Sequence, residues 1–419
     1  MAWMGKASCL LRGTWHSITR CVSKVVDLES TSRQFKALQR VRKIRTAEGL
    51  LRLALIWGPG RQSLREAAAL AAEGGIADMS DKAVEGRLRC MGDWLEHILT
   101  SLLTDRMGQS GPVKSGGMAL SLIDGSVICA PGSGENWRLH ARYDPGAGRF
   151  SDLVLTTARQ AECASRTPVG PGRTVIMDRG YARARSFHAV LADGSDFITR
   201  TSWQSVALYD APNDAPNDAA YRAGAKPLPR RVNVAALLMD GAPLSERVVW
   251  VKGIERGLRL LIQPLPPEIA ERQRLRRARK ANKKSQKLDL RTAKAAGFLM
   301  LLTSLPAQSN PPEHVVASYR DRWQVEIGFK RLKTLGRLDE LPSSDPALAR
   351  TWLLAHLIAA VLTDDLANEI VGFPPSQGRQ QASPPIALAR MGQGEGDIAG
   401  RHTASNQIGH AKGVAQVSP

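Results

Sequence analysis

The apolar residues of this chain change period once, near residue 117, and that change restricts the fold to a helical unit followed by a sheet. Upstream, Val84, Leu88, Met91, Leu95, Ile98 and Leu102 recur at intervals of three and four, the spacing of a helix with one face in a core. Downstream, MALSLIDGSVI (118–128) reads as a strand, and RLHARYD (138–144), the turn PGAGR and FSDLVLTT (150–157) read as a hairpin. TVIMD (174–178) is a further strand, ARARSFHAVLA (182–192) a helix and DFITRTSW (196–203) a fifth strand. Three strands in a meander, then strand alternating with helix, predict an α/β fold: a mixed sheet flanked by helices.

Residues 1–32 are weakly patterned. RQFKALQRVRKIRTAEGLLRLALIW (33–57) is basic first and apolar later. SLRE (63–66) is a capping box, Gly74-Gly75 ends its helix, and Ser80 caps a second helix running through Leu102. Helix, glycine turn and helix suit a DNA-reading helix-turn-helix or an ordinary helical domain equally well.

The formal charge of +19 and the sequence pI of 10.2 call for a polyanionic partner, a nucleic acid or an anionic membrane surface. Five scattered cysteines form no C-x-x-C pair, which argues against zinc and disulfides and for a reducing compartment. WLLAHLIAAVL (352–362) holds His356 and falls short of the ~18 apolar residues of a membrane span, so a core helix is expected. The N-terminus carries no signal-peptide pattern, and a cytosolic location follows.

In the middle of the chain, the tandem APNDAPND (211–218) reads as a solvent loop, and VNVAALL (232–238), RVVWVKG (247–253) and LRLLIQPL (258–265) as short strands. Residues 271–294 hold 11 Lys or Arg against 2 acids, suiting a solvated loop or a contact with a phosphate backbone. GFLMLLTSL (297–305) is a returning strand. The tail from 374 has no aromatic residue and many Pro, Gly, Gln and Ser, so disorder is expected.

YRDRWQVEIGFKRLK (319–333) poses the chemical question, because Glu326 is its one glutamate among many cations. At ~100° per residue, Tyr319, Arg322, Glu326, Lys330 and Lys333 share an arc of about 80°. One acid among cations suits a site that holds a metal ion and a phosphate together, and a hard cation needs further carboxylates. Two stand at strand ends: Asp124 after LSLI and Asp178 after TVIM. Each by itself is more simply a turn-forming strand terminus.

As a set, LIDGS, VIMDRGY and Y-x2-R-x3-E-x6-K resemble the acidic motifs of the DDE transposases. More narrowly, they resemble the insertion-sequence-four family with its Tyr-Arg-Glu-Lys signature, over about residues 35–365. The resemblance implies an RNase H-like mixed sheet with flanking helices, a β-rich insertion before the glutamate helix and an N-terminal all-helical domain. The implied parts are a weakly ordered 1–32, a helical DNA-end-binding domain at 33–112, a catalytic domain at 113–203 and 297–371, a basic β-rich insertion at 204–296 and a disordered tail at 372–419. Asp124, Asp178 and Glu326 would be the catalytic residues and metal ligands, holding two Mg²⁺ ions, with Mn²⁺ as an alternative.

Tyr319, Arg322, Lys330 and Lys333 would bind phosphates of the DNA end. Trp323 and Trp250, with Trp203 behind them, are candidates to stack a flipped base. Arg40, Arg42, Lys43 and Arg45 would contact phosphates from the helical unit. The implied activity is cut-and-paste transposition by a homodimer on paired terminal inverted repeats and target DNA, in the bacterial cytoplasm beside the nucleoid, with no membrane. Relatives continue into helical sequence where this chain turns Pro- and Gln-rich, which suggests a changed reading frame. A catalytically impaired relative that only binds element ends is the alternative.

Overall fold

The computed structural model describes residues 15–39, 42–109, 114–115, 118–210, 230–239, 242–334 and 336–371. Arg40, the APNDAPND tandem and the 372–419 tail, with the disorder and frame-change expectations attached to it, lie outside the described residues.

At the centre of the sheet, β2 (Met118–Ile128) pairs parallel with β5 (Thr174–Met177), Leu120 opposite Thr174 and Ile123 opposite Met177. β3 (Trp137–Asp144) and β4 (Arg149–Thr157) add an antiparallel meander on one side; β6 (Asp196–Arg200) adds a parallel strand on the other. β9 (Phe298–Thr303), β8 (Leu258–Pro264) and β7 (Ser245–Val249) extend the sheet antiparallel beyond β6. The order is β4-β3-β2-β5-β6-β9-β8-β7, with the two-residue β1 (Lys114–Ser115) paired to the start of β2. This mixed α/β sheet is compatible with the RNase H-like expectation.

Both faces of the sheet are covered, so its central strands read as continuous apolar runs. The pleat sorts neighbours to opposite faces. Leu122, Ile176, Ile198 and Leu301 enter one core; Ile123, Val175, Met177, Phe197 and Leu302 enter the other. The second core is closed by α7 (Ala184–Ala192), whose Phe187 stacks on Phe197.

The first core is shared with six N-terminal helices: α1 (Trp15–Ser23), α2 (Leu28–Gln34), α3 (Ala47–Trp57), α4 (Leu64–Glu73), α5 (Asp81–Arg89) and α6 (Gly92–Gln109). Ordered helix therefore begins well before residue 33. The capping box forms as read: the Glu66 amide donates to Ser63 Oγ at 3.2 Å, and the Ser63 amide to Glu66 Oε2 at 2.8 Å. The helix capped by Ser80 does not run on to Leu102. It stops at Cys90, and α6 starts afresh at Gly92, where an added Cβ would lie 2.8 Å from the Arg350 guanidinium.

The last helix, α12 (Pro346–Val371), packs on α6, α3 and α5. By length and composition its 346–366 part could cross a membrane, longer than the 11-residue run suggested; 67% of that window is buried in the protein, as a core helix requires. Buried Arg106 of α6 binds Asp365 at 2.7 Å and donates to the Phe150 carbonyl at 3.0 Å, tying α6, β4 and α12 together.

Three further expectations are corrected. Residues 234–237 form a 3₁₀ turn capped by Asn233, not a strand. The segment before the glutamate helix is not chiefly β: it gives β7 and β8 to the main sheet. Most of its basic run is helical, in α8 (Pro267–Lys283) and α9 (Leu290–Ala295). Pro267 sits in the first turn of α8, where its missing N–H costs nothing, and Ala, Arg, Gln and Lys sustain the rest. The glutamate helix is broken: α10 (Pro312–Tyr319), a 3₁₀ turn at Arg320–Arg322, then α11 (Trp323–Thr334). A 3₁₀ residue turns through ~120°, so three of them rotate Tyr319 by about 60° from its place on a continuous helix.

α11 lies against β2 and β3, with Gly328 facing Phe150 of β4. A Cβ there would sit 2.7 Å from the Phe150 ring, itself packed on Tyr143 and Phe329. Gly328→Ala gains up to about 1 kcal/mol of helix propensity but overpacks the core at a cost of about 1–3 kcal/mol. A net loss is expected in urea denaturation; an unchanged midpoint would mean that the Phe150 ring yields freely.

Candidate active site

Register brings the two aspartates together. Ile123 and Met177 are partners on adjacent parallel strands, and each is followed at once by an aspartate. Asp124 continues β2, and its carboxylate accepts from the Gly125 amide at 2.8 Å. Asp178 leaves β5 and precedes the 3₁₀ turn Arg179–Tyr181. Burial pushes the Asp124 carboxyl up to about 7; Arg322 opposes that rise, while Asp178 and a further acid, Glu162, add to it.

Glu326 reaches this point through Arg322. The Arg322 guanidinium, one turn earlier, donates to Glu326 Oε1 and lies 3.8 Å from Asp124 Oδ2. Burial works against its charge, but Tyr319, Asp178, Asp124 and Glu326 outweigh that and hold its pKa above the usual arginine value. The carboxylates thus gather around one guanidinium. Among the described residues, no group of three or more His, Cys, Asp or Glu stands close enough to hold a metal ion.

The rest of the signature divides by burial. Tyr319 is 1% exposed, its ring 6.0 Å from the Arg322 guanidinium carbon, and burial raises its phenol pKa. Its hydroxyl, the Arg322 Nε and the Tyr181 hydroxyl are all buried without a hydrogen-bond partner. Lys333 is half-buried and donates to the Val127 carbonyl of β2 at 2.8 Å; Lys330 is exposed. The narrow polar stripe expected from a continuous helix is therefore not one surface. Tyr319 and Arg322 belong to the interior, Lys330 to the outside.

Trp323, next to Arg322, is 37% exposed. Trp250 is half-buried just past β7, where its backbone pairs with Tyr209 at 2.9 Å. In the sheet order β7 is five positions from β2, roughly 24 Å at strand spacing, so Trp250 is not part of this cluster. Trp203 is half-buried with the Arg291 guanidinium 4.3 Å from its ring centroid. Arg42, Lys43 and Arg45 are exposed around buried Ile44, on the loop leading to the Thr46 cap of α3.

Sequence reasoning missed Glu162. Its carboxylate lies 3.5 Å from Arg138 of β3, and its oxygens lie against both Gly125 and Gly180, the glycines of the two aspartate motifs. The local sequence, RQAECAS, carries no pattern that would have singled it out.

Residues 115–362 match the family described as transposase DDE domain. A putative transposase InsL for insertion sequence element IS186A of Escherichia coli K12 is 36% identical over 363 residues, covering 86% of this chain and 96% of that protein. The transposase for insertion sequence element IS421 of Escherichia coli is 35% identical over 364 residues, with the same coverage.

The raised Asp124 pKa carries a signed consequence for stability. Folding favours the protonated acid, so this contribution is fully present below the unfolded pKa near 3.8 and is lost as pH rises through about 7. Without divalent ions, Asp124→Asn is expected to be more stable than the parent at pH 8, on the order of 1–2 kcal/mol. The gap should close by pH 4. Urea denaturation across that range measures it; a gap independent of pH would contradict the burial of this carboxyl.

Proposed function

This chain belongs to the DDE transposase family, and from that premise we propose that it cuts DNA at the terminal inverted repeats of its own element and joins the freed ends to target DNA. The observation that carries this is the register of β2 and β5, which sets Asp124 beside Asp178, with Arg322 linking Asp124 to Glu326. The Tyr319–Lys333 spacing resembles the Tyr-Arg-Glu-Lys signature of the insertion-sequence-four group and supports that narrower reading.

The donor chemistry suits a hard divalent cation: anionic oxygens from β2, from the residue that follows β5 and from a helix. Asp124, Asp178 and Glu326 would hold two Mg²⁺ or Mn²⁺ ions. When bound, such ions activate a water or 3′-hydroxyl and stabilise the leaving oxygen of an in-line displacement. The guanidinium that now faces both Asp124 and Glu326 must leave them for a cation to be shared there. A DNA phosphate offers it a bidentate partner. Its unpartnered Nε and the Tyr319 hydroxyl are donors available to the same phosphate.

Exposed Lys330 and half-buried Lys333 on the same helix would add phosphate contacts. Trp323, exposed beside Arg322, is better placed than Trp250 to stack an extrahelical base. On α8, Arg272, Arg276, Arg279 and Lys283 fall within about 60° of one another and form a stripe for backbone contact. Arg42, Lys43 and Arg45 supply phosphate contacts on the helical unit. Paired ends call for a homodimer, working in the bacterial cytoplasm beside the nucleoid. A second reading, binding of ends without transposition, draws on the Arg322 contacts that keep the acids from forming a metal cage in this conformation.

The two readings separate on a duplex ending in the inverted repeat that flanks the gene. Transposition predicts cutting with Mg²⁺ and none with EDTA, and Glu326→Gln should retain the DNA but lose cutting; normal cutting by that variant would refute the assignment of Glu326. Retardation without nicking in the parent protein would favour the binding-only reading. Replacing Arg272, Arg279 and Lys283 with Gln should flatten the salt dependence of binding by about 3 in log–log slope. An unchanged slope would remove α8 from the DNA interface.

A further inference from the structure

Gly125 and Gly180 each follow a catalytic aspartate by one or two residues, and glycine after an acid is ordinarily explained by backbone freedom. That explanation does not apply here, since neither residue adopts a positive φ. What both positions need is room. A Cβ on Gly180 would lie 2.1 Å from Glu162 Oε2, and one on Gly125 would lie 3.1 Å from Glu162 Oε1. Two side-chain-free positions, one within β2 and one in the turn after β5, thus leave space for one carboxylate wedged between them. The same point at Gly125 is 3.3 Å from the Tyr181 hydroxyl, which is fully buried and has no hydrogen-bond partner. Arg138 holds the outer side of Glu162 at 3.5 Å.

We propose that Glu162 is a fourth carboxylate of this site: a positioning residue that sits between the Asp124 segment of β2 and the turn after Asp178 and contributes negative charge to the binding of the divalent cation. The idea rests on the metal reading given above. Arg322 enters the cluster from the helix side; Glu162 enters from the turn between β4 and β5 and tips the local balance back toward binding a cation. Cation affinity in oxygen sites follows ligand charge, and Glu162 adds one negative charge beside Asp124. The glycines are its counterpart in sequence.

The test is Mn²⁺ binding to the full chain, read from the free-ion EPR signal, for the parent protein, Asp124→Asn, Glu162→Gln and Gly180→Ala, with thermal melts as the folding control. Glu162→Gln keeps the size of the side chain and removes its charge, so it should melt like the parent yet bind Mn²⁺ about tenfold more weakly. Gly180→Ala displaces only the flexible end of Glu162 and should weaken binding likewise. Parental Mn²⁺ affinity in either variant, while Asp124→Asn has lost binding, overturns the role of Glu162 and leaves the metal reading standing. A parent protein that takes up no Mn²⁺, or binding that survives Asp124→Asn, overturns the metal reading and the role of Glu162 with it.

Discussion

The parallel pairing of Leu120–Ile123 with Thr174–Met177 fixes everything that follows at the site. Side chains alternate along a strand, so slipping one of these strands by one residue would send its aspartate to the opposite face. The slip is prevented by cores on both faces: Leu122 and Ile176 must enter one, Ile123, Val175 and Met177 the other. Hydrophobic sorting over four residue pairs therefore sets the position of two acids that contribute nothing to that sorting themselves.

The third acid is placed by a different force. α11 is seated by Val325, Phe329 and Leu332, with Gly328 against the Phe150 ring. From that seat Glu326 is linked to Asp124 through Arg322. Burying a guanidinium is costly unless its charge is matched, and here Asp124, Asp178 and Glu326 match it. The arginine serves as an internal counterion for acids that would otherwise repel one another across a small gap. Two hydroxyls and one guanidinium nitrogen remain buried beside this arrangement without partners, a condition folded proteins generally avoid.

The N-terminal helices are coupled to this centre, because they share one core with a face of the sheet and with α12. Arg106 joins α6 and α12 to β4, the strand whose Phe150 supports α11. A continuous set of packed contacts thus runs from the helical unit to the glutamate helix.

Much of this was legible in the linear order. Apolar runs ending in Asp124 and Asp178, the Ser63 capping box and the Tyr319–Lys333 spacing are local patterns, and local patterns survive in sequence because they depend on neighbours one to four residues away. The break at Cys90 and the 3₁₀ turns at Arg320–Arg322 and Val234–Leu237 were not legible, since tertiary packing overrides propensity at element ends. Nor was Glu162, whose importance lies in two glycines that its own neighbourhood does not mention. The sequence by itself determined which residue types exist for the chemistry and which segments carry them. Only the tertiary structure decided that the acids meet around Arg322 and that Glu162 joins them, because charge and space act between atoms that are close in space, whatever their separation along the chain.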